Sequence, residues 1–161
     1  MLLPMSREYQ NINTIITDAS CFILLEKING LDILEKLYGT VTTTPEIAAE
    51  YGKRLPLWVN VNAVNNRDLL YTYAELVDIG EASAIALAQE VTSPSLILDD
   101  LKGRKLAQQL NLEFTGTIGV LVLARQRKVI PLLLPYFEKI KSTNFRISND
   151  FLQTLLDKYD I

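Results

Sequence analysis

An α/β fold built around a parallel sheet is predicted for this chain, on three observations. Short runs rich in β-branched and aliphatic residues (Thr14 to Thr17, Thr40 to Thr43, Ser95 to Leu98) recur between longer segments with helical patterning. Such alternation is the pattern of βαβ units. Two of the runs end directly in acids, Asp18 and the pair Asp99-Asp100. In open α/β sheets ligands collect beyond the carboxyl ends of the strands, so both acids are expected on one functional rim.

Taken in order, Thr14 to Thr17 is read as a buried strand ending at Asp18. Either Asp18 or Ser20 is suited to cap the helix that follows through Cys21, Phe22, Leu24, Leu25 and Ile28, with Gly30 ending it. Leu31 to Tyr38 gives a short amphipathic helix closed by Gly39, and Thr40 to Thr43 a second strand. Thr44-Pro45 is a strong helix start, a capping hydroxyl followed by proline in the first turn, and the helix is expected to stop at Gly52. Leu57 to Val64 alternates only weakly and is read as a strand; Asn65-Asn66 reads as a turn, and Asp68 to Leu76 as a helix.

Asp78-Ile79-Gly80-Glu81 has the acid-x-x-Glu spacing of a capping box opening the helix Ala-Ser-Ala-Ile-Ala-Leu-Ala. Ser93-Pro94 breaks that helix and Ser95 to Leu98 forms a strand. A helix from Leu101 to Leu110, a short strand at Glu113 to Thr115 and a helix from Ile118 to Gln126 capped by Thr117 follow. Helices near Leu132 to Lys141 and Asp150 to Tyr159 complete the chain, which is read as a single domain over residues 1–161 with residues 1–13 as an N-terminal extension.

Composition narrows the chemistry. The 161 residues contain no histidine and a single cysteine, Cys21. Imidazole catalysis, a Ser-His-Asp triad and a thiolate zinc site are therefore disfavoured. Carboxylates remain, and convergent carboxylates suit a hard cation such as Mg²⁺ or Mn²⁺. A lone cysteine fits a reducing compartment, the leading residues lack the pattern of a secretory signal, and the apolar runs are too short for a membrane span, so a cytoplasmic protein is expected. The formal net charge of −3 is unusual for a nucleic-acid binder, although an acidic metal site itself lowers the sum. Basic clusters occur at Lys102, Arg104 and Lys105 and at Arg125, Arg127 and Lys128. Read alone, each is as well explained as a solvated helix face.

Each acid also has a plain structural explanation. Asp18, Asp99 or Asp100 suits a helix cap, Glu46 favours the helix dipole, and Glu81 completes the capping box. Glu50, one turn beyond Glu46, has no such reason. Adjacent Asp99 and Asp100 repel each other unless a cation compensates.

Together these segments resemble a family. Asp18-Ala-Ser after a strand, a helix carrying Glu50, Gly80-Glu81-Ala-Ser-Ala-Ile-Ala-Leu-Ala, then Leu-Ile-Leu-Asp99-Asp100 with Gly103-Arg104 and Ala107, and Thr115-Gly116-Thr117-Ile-Gly119 are similar in order and spacing to PIN-domain proteins. Among these, they resemble a subgroup related to VapC-type toxins. The resemblance implies a three-layer α/β/α sandwich and a Mg²⁺- or Mn²⁺-dependent endoribonuclease, often the toxin of a toxin–antitoxin pair. It implies RNA as substrate, an antitoxin protein as partner, and a homodimer. Carried over by position, Asp18, Glu50, Glu81 (where most members have Asp) and Asp99 are the catalytic acids. Asp18, Glu81, Asp99 and Asp100 are the metal-site candidates, with Asp99 preferred over Asp100 as the fourth acid. Lys102, Arg104 and Lys105 are candidates to hold RNA phosphates, and Thr117, a further polar group near the metal, is a fourth substrate-binding candidate.

Rival classes fit less well. An aspartyl-phosphate phosphatase wants Asp-x-Asp after the first strand, whereas Asp18 is followed by Ala19 and Ser20. A receiver domain carries its acidic pair early, and no glycine-rich phosphate loop is present. The serious competitor is a PIN-like module that binds a protein or RNA without cutting it.

Overall fold

The computed structural model describes residues 13–161. Residues 1–12 of the expected N-terminal extension lie outside the described residues. Five parallel strands form one sheet in the order β3-β2-β1-β4-β5, where β1 is Thr14–Thr17, β2 Val41–Thr43, β3 Val59–Val61, β4 Pro94–Ile97 and β5 Glu113–Thr115. This sheet is the middle layer of a three-layer α/β/α sandwich, as expected from the sequence. The chain winds outward from β1 to β3, then crosses back to β4 on the other side of β1. Strand order therefore reverses between β1 and β4, which pair with Thr17 opposite Ile97. Asp18 and Asp99 both leave the sheet at this switch point, the crevice where α/β sheets bind ligands.

The strand termini and helix starts follow from local chemistry. Asp18, with extended backbone, accepts the Cys21 N–H on its carboxylate and so caps α1 (Ala19–Lys27). Of the two expected caps for α1, Asp18 fills the role. The helix α2 spans Asp32–Tyr38. Thr44 caps α3 (Pro45–Tyr51) through the Ile47 N–H, and Gly52 closes it in the left-handed conformation at φ 72°. The weakly alternating run at residues 57–64 yields only Val59–Val61 as strand, with Leu57 94% exposed. It forms the sheet edge, so little of the alternation is enforced by burial.

The helices α4 (Arg67–Ala74) and α5 (Ile79–Ala88) lead into β4. The residues Ala82 to Ala88 are all buried, so α5 is enclosed by its neighbours: it packs on α3, α4, β1 and β4. Small alanines permit that close approach. The helix α6 spans Leu101–Gln109 and α7 spans Thr117–Gln126; α7 packs against α1 and α2. At the carboxyl end α8 (Leu134–Lys141) and α9 (Asn149–Tyr159) fold back, and Asp160 accepts N–H bonds from Leu133 and Leu134. Among the described residues no helix is long and apolar enough to cross a membrane.

Candidate metal centre

The strand β1 delivers Asp18 to the rim only 3% exposed. Its carboxylate accepts from the Cys21 N–H at 3.0 Å, from the Ser20 hydroxyl at 2.9 Å and, more weakly, from the Asp99 N–H at 3.4 Å. Among the described residues, no lysine or arginine pairs with it. Burial first, and the neighbouring Asp99 charge second, push its pKa up to about 7 despite those bonds. A buried carboxylate with no basic partner is costly to ionise until a cation arrives.

The adjacent acids Asp99 and Asp100 separate cleanly. Asp100 is exposed and caps α6, accepting the Lys102 and Gly103 N–H groups on one oxygen. Asp99 turns toward Asp18. The Ser20 hydroxyl lies 3.2 Å from Asp99 Oδ2 as well, so one proton is shared between the two carboxylates. The fully buried Thr117 fixes Asp99 from the other side, donating its N–H at 2.8 Å and its hydroxyl at 2.6 Å. The sequence leads one to expect Thr117 as the cap of α7, but Gly116 occupies that position without a side chain, and the Thr117 hydroxyl serves Asp99 instead. Being buried, Thr117 supports the acid rather than offering a surface to substrate.

Gly116 explains how Arg104 joins this group. A Cβ at residue 116 would overlap the Arg104 guanidinium and lie 2.8 Å from Asp99 Oδ1. The Arg104 Nε donates to the Leu98 carbonyl at 2.7 Å, which holds the side chain at the strand end. Lys102 and Lys105 are exposed on the same helix. Among the described residues none of these three cations forms an ion pair. Lys53, another basic residue near Glu50 in sequence, is held by Glu26 at 2.6 Å.

Glu50 and Glu81 form a second set where α3 meets α5. Ser83 donates to the Gly80 carbonyl, the Thr44 and Ser83 hydroxyls bond at 2.6 Å, and Thr44 caps α3, so buried hydroxyls lock the two helix starts together. Over Gly80 lies the Glu50 carboxylate: a Cβ there would meet Glu50 Oε2 at 2.6 Å. Gly103 makes the corresponding room for the Glu81 stem, 3.2 Å from where its Cβ would be.

The expected capping box is absent. Asp78 makes no side-chain cap bond, and Glu81 Oε2 is buried with no hydrogen-bond partner among the described residues. Glu81 is instead aimed between α5 and α6, and desolvation, then the charges of Asp78, Asp100 and Glu50, raise its pKa to about 7. Burial and Asp78 raise that of Glu50.

Thus the fold brings the sequence-predicted acids into two neighbouring sets, Asp18 with Asp99, and Glu50 with Glu81 and Asp100. Among the described residues, no three acidic side chains close on one point. Like charges separate; Asp18, Asp99 and Asp100 take their bonds from the chain, whereas Glu81 keeps a buried oxygen without a partner among the described residues. The donor set nonetheless fits a hard divalent ion. It is all oxygen, with no imidazole in the chain and the one thiol buried, and it includes a buried glutamate oxygen lacking a partner among the described residues. Ser20 and the three glycines were not recognised from sequence as site residues. Their spacing beside each acid is the only local signal they carry.

This arrangement is an α/β/α sandwich with carboxylates at the switch point of a parallel sheet and no histidine in the chain. A family model described as a PIN domain matches residues 14–160, and the chain belongs to the PIN-domain family. PIN domains are nuclease-type folds, generally dependent on divalent metal ions, and PIN nucleases act on RNA. No curated protein and no solved structure gives a significant match.

Proposed function

We propose that this chain is a Mg²⁺- or Mn²⁺-dependent endoribonuclease in which Asp18 and Asp99 hold the ion. The observation that supports this most is the pair itself: two carboxylates at adjacent strand ends, bridged by Ser20, one buried without a cationic partner among the described residues. Glu81, through its unpartnered oxygen, and Glu50 beside it complete the acidic rim, directly or through water. Asp100 caps α6 and adds its charge to that rim. A bound ion supplies Lewis acidity to water and neutralises charge developing on the phosphate. The chain's own residues do the rest. The Thr117 N–H and hydroxyl and the Cys21 N–H fix the acids' orientation, while Arg104, Lys102 and Lys105 draw the phosphates of the strand toward them.

The test is Mn²⁺-dependent cleavage of unstructured and structured RNAs by the protein and by Asp18→Asn purified identically. Cleavage only by the unsubstituted protein supports the reading. Equal cleavage by both assigns the activity to a contaminant and defeats it. A role as the toxin of a toxin–antitoxin pair, acting as a homodimer, belongs to the same proposal; a small reading frame adjacent to the gene and a dimer in solution are its tests.

A second reading, a PIN module that binds RNA or a protein without cutting, draws on the two separate acid sets and the net charge of −3. It is favoured if no RNA is cut and no divalent ion raises the melting temperature.

A further inference from the structure

Beyond the edge strand β5, a groove of about 530 Å³ opens beside the acid pair, with Asp99 at its wall. Its size falls in the range of pockets that take a nucleotide-sized ligand. Three phenylalanines from separate parts of the chain line it: Phe114 on β5, Phe145 in the segment before α9, and Phe151 in α9. Two arginines, Arg104 and Arg146, line it as well. The Arg104 guanidinium carbon stands 5.7 Å from the Phe114 ring centroid, a cation lying over an aromatic face. Phe151 is 50% exposed, an aromatic surface left in water. The segment carrying Phe145 and Arg146 also borders a second groove of about 300 Å³ lined by Ser20 and Lys27. Phe145 and Arg146 thus stand between two depressions, one reaching Asp99 and the other Ser20.

We propose that the larger groove binds an unpaired base of single-stranded RNA, stacked on its phenylalanines, with Arg104 and Arg146 holding the adjoining phosphates. This rests on the ribonuclease reading and adds to it a base-binding subsite, with one unstacked base lodged beside the bond to be cut. Aromatic faces accept any base, and arginines complement phosphate, so this combination favours RNA over a protein segment, for which only the apolar wall would be matched. Continuity with Asp99 ties the groove to the acid pair. A duplex cannot present a base to such a wall, because its faces are already stacked.

The experiment reads binding without cleavage. A single-stranded RNA hexamer with one internal 2-aminopurine is titrated with the Asp18→Asn protein in chelator, and its fluorescence is followed. Saturable quenching is expected, weakened about tenfold by Phe114→Leu and by Phe151→Ala. Arg146→Gln is expected to lower the slope of log affinity against log salt by about 0.7. Phe151 is exposed enough that its variant keeps the melting temperature even if Phe114→Leu disturbs β5. The inference is overturned by absent quenching, as a groove built for a protein segment gives, by equal competition from duplex RNA, or by a correctly melting Phe151→Ala that binds as tightly as its parent. Intact quenching in a protein that never cleaves upholds the groove and defeats only the nuclease reading. Cleavage unaffected by the groove variants, with no quenching, does the reverse.

Discussion

Asp18 and Asp99, 81 residues apart in sequence, meet at the ends of two paired strands, where the Asp99 N–H approaches Asp18 Oδ2 at 3.4 Å. Among the described residues neither forms an ion pair with a lysine or arginine, although the Arg104 guanidinium lies near Asp99 across Gly116. The close approach of two carboxylates has consequences for stability and for ion binding.

The first concerns pH. An aspartate titrates near 4 in an unfolded chain, whereas burial and Asp99 raise Asp18 to about 7 in the fold, and Glu81 reaches about 7 by desolvation. Between these values the folded state binds more protons than the unfolded one. Stability of the ion-free protein therefore falls as pH rises from about 4 to about 7, then levels. A divalent ion favours the charged carboxylates and flattens the slope. Thermal melts from pH 5 to 8, with chelator or with Mn²⁺, check both parts. Asp18→Asn is expected to raise the melting temperature in chelator at pH 8.

Thr117 acts on the site through Asp99. Thr117→Val removes a buried hydroxyl bond to a carboxylate, a loss of about 1.5–3 kcal/mol in stability. Removing a bond that orients a metal-holding group typically lowers ion affinity by about 10–100-fold. Thr117→Ser keeps the hydroxyl and is expected to retain most of both. Mn²⁺ titration of the two variants distinguishes a positioning hydroxyl from simple packing.

Gly80 separates site geometry from stability. A Cβ there meets the end of the flexible Glu50 side chain, which can swing away, and alanine is the better helix former by about 1 kcal/mol. Gly80→Ala is therefore expected to melt no lower than its parent while losing cleavage to the extent that Glu50→Gln does. A fall in melting temperature with full activity would contradict the role given to Glu50.

Phosphate contacts by α6 set the salt dependence of RNA binding. Lys102→Gln and Arg104→Gln are each expected to lower the slope of log affinity against log salt by about 0.7 for a single strand. Arg104→Gln is expected to cost more affinity, because Arg104 is half-buried beside Asp99 and Phe114 while Lys102 is exposed. Filter binding across a salt series measures both.

Much of this fold was legible from local chemistry. The β-branched run ending at Asp18, the Thr44-Pro45 start and Gly52 stop of α3, and the acids ending β4 each carry their signal within a few residues. What misled was also local. Asp78-x-x-Glu81 has the spacing of a capping box, yet Glu81 is drawn into the gap over Gly103, an α6 residue that no local reading of α5 includes. Thr117 looked like a helix cap because its partner Asp99 lies 18 residues earlier, just past the end of β4. Ser20 was legible only as a cap because its second role depends on β4 pairing with β1, a consequence of sheet order. The two acid sets likewise reflect long-range placement, which sequence order announces without distances.

The most direct measurement is calorimetric titration of the protein with Mn²⁺ at pH 7.5, alongside Asp18→Asn and Asp99→Asn. Saturable binding by the protein, lost or weakened at least tenfold in both variants while Lys53→Gln binds normally, is the result expected. Unchanged Mn²⁺ affinity in folded Asp18→Asn and Asp99→Asn would mean that this pair of carboxylates does not hold the ion.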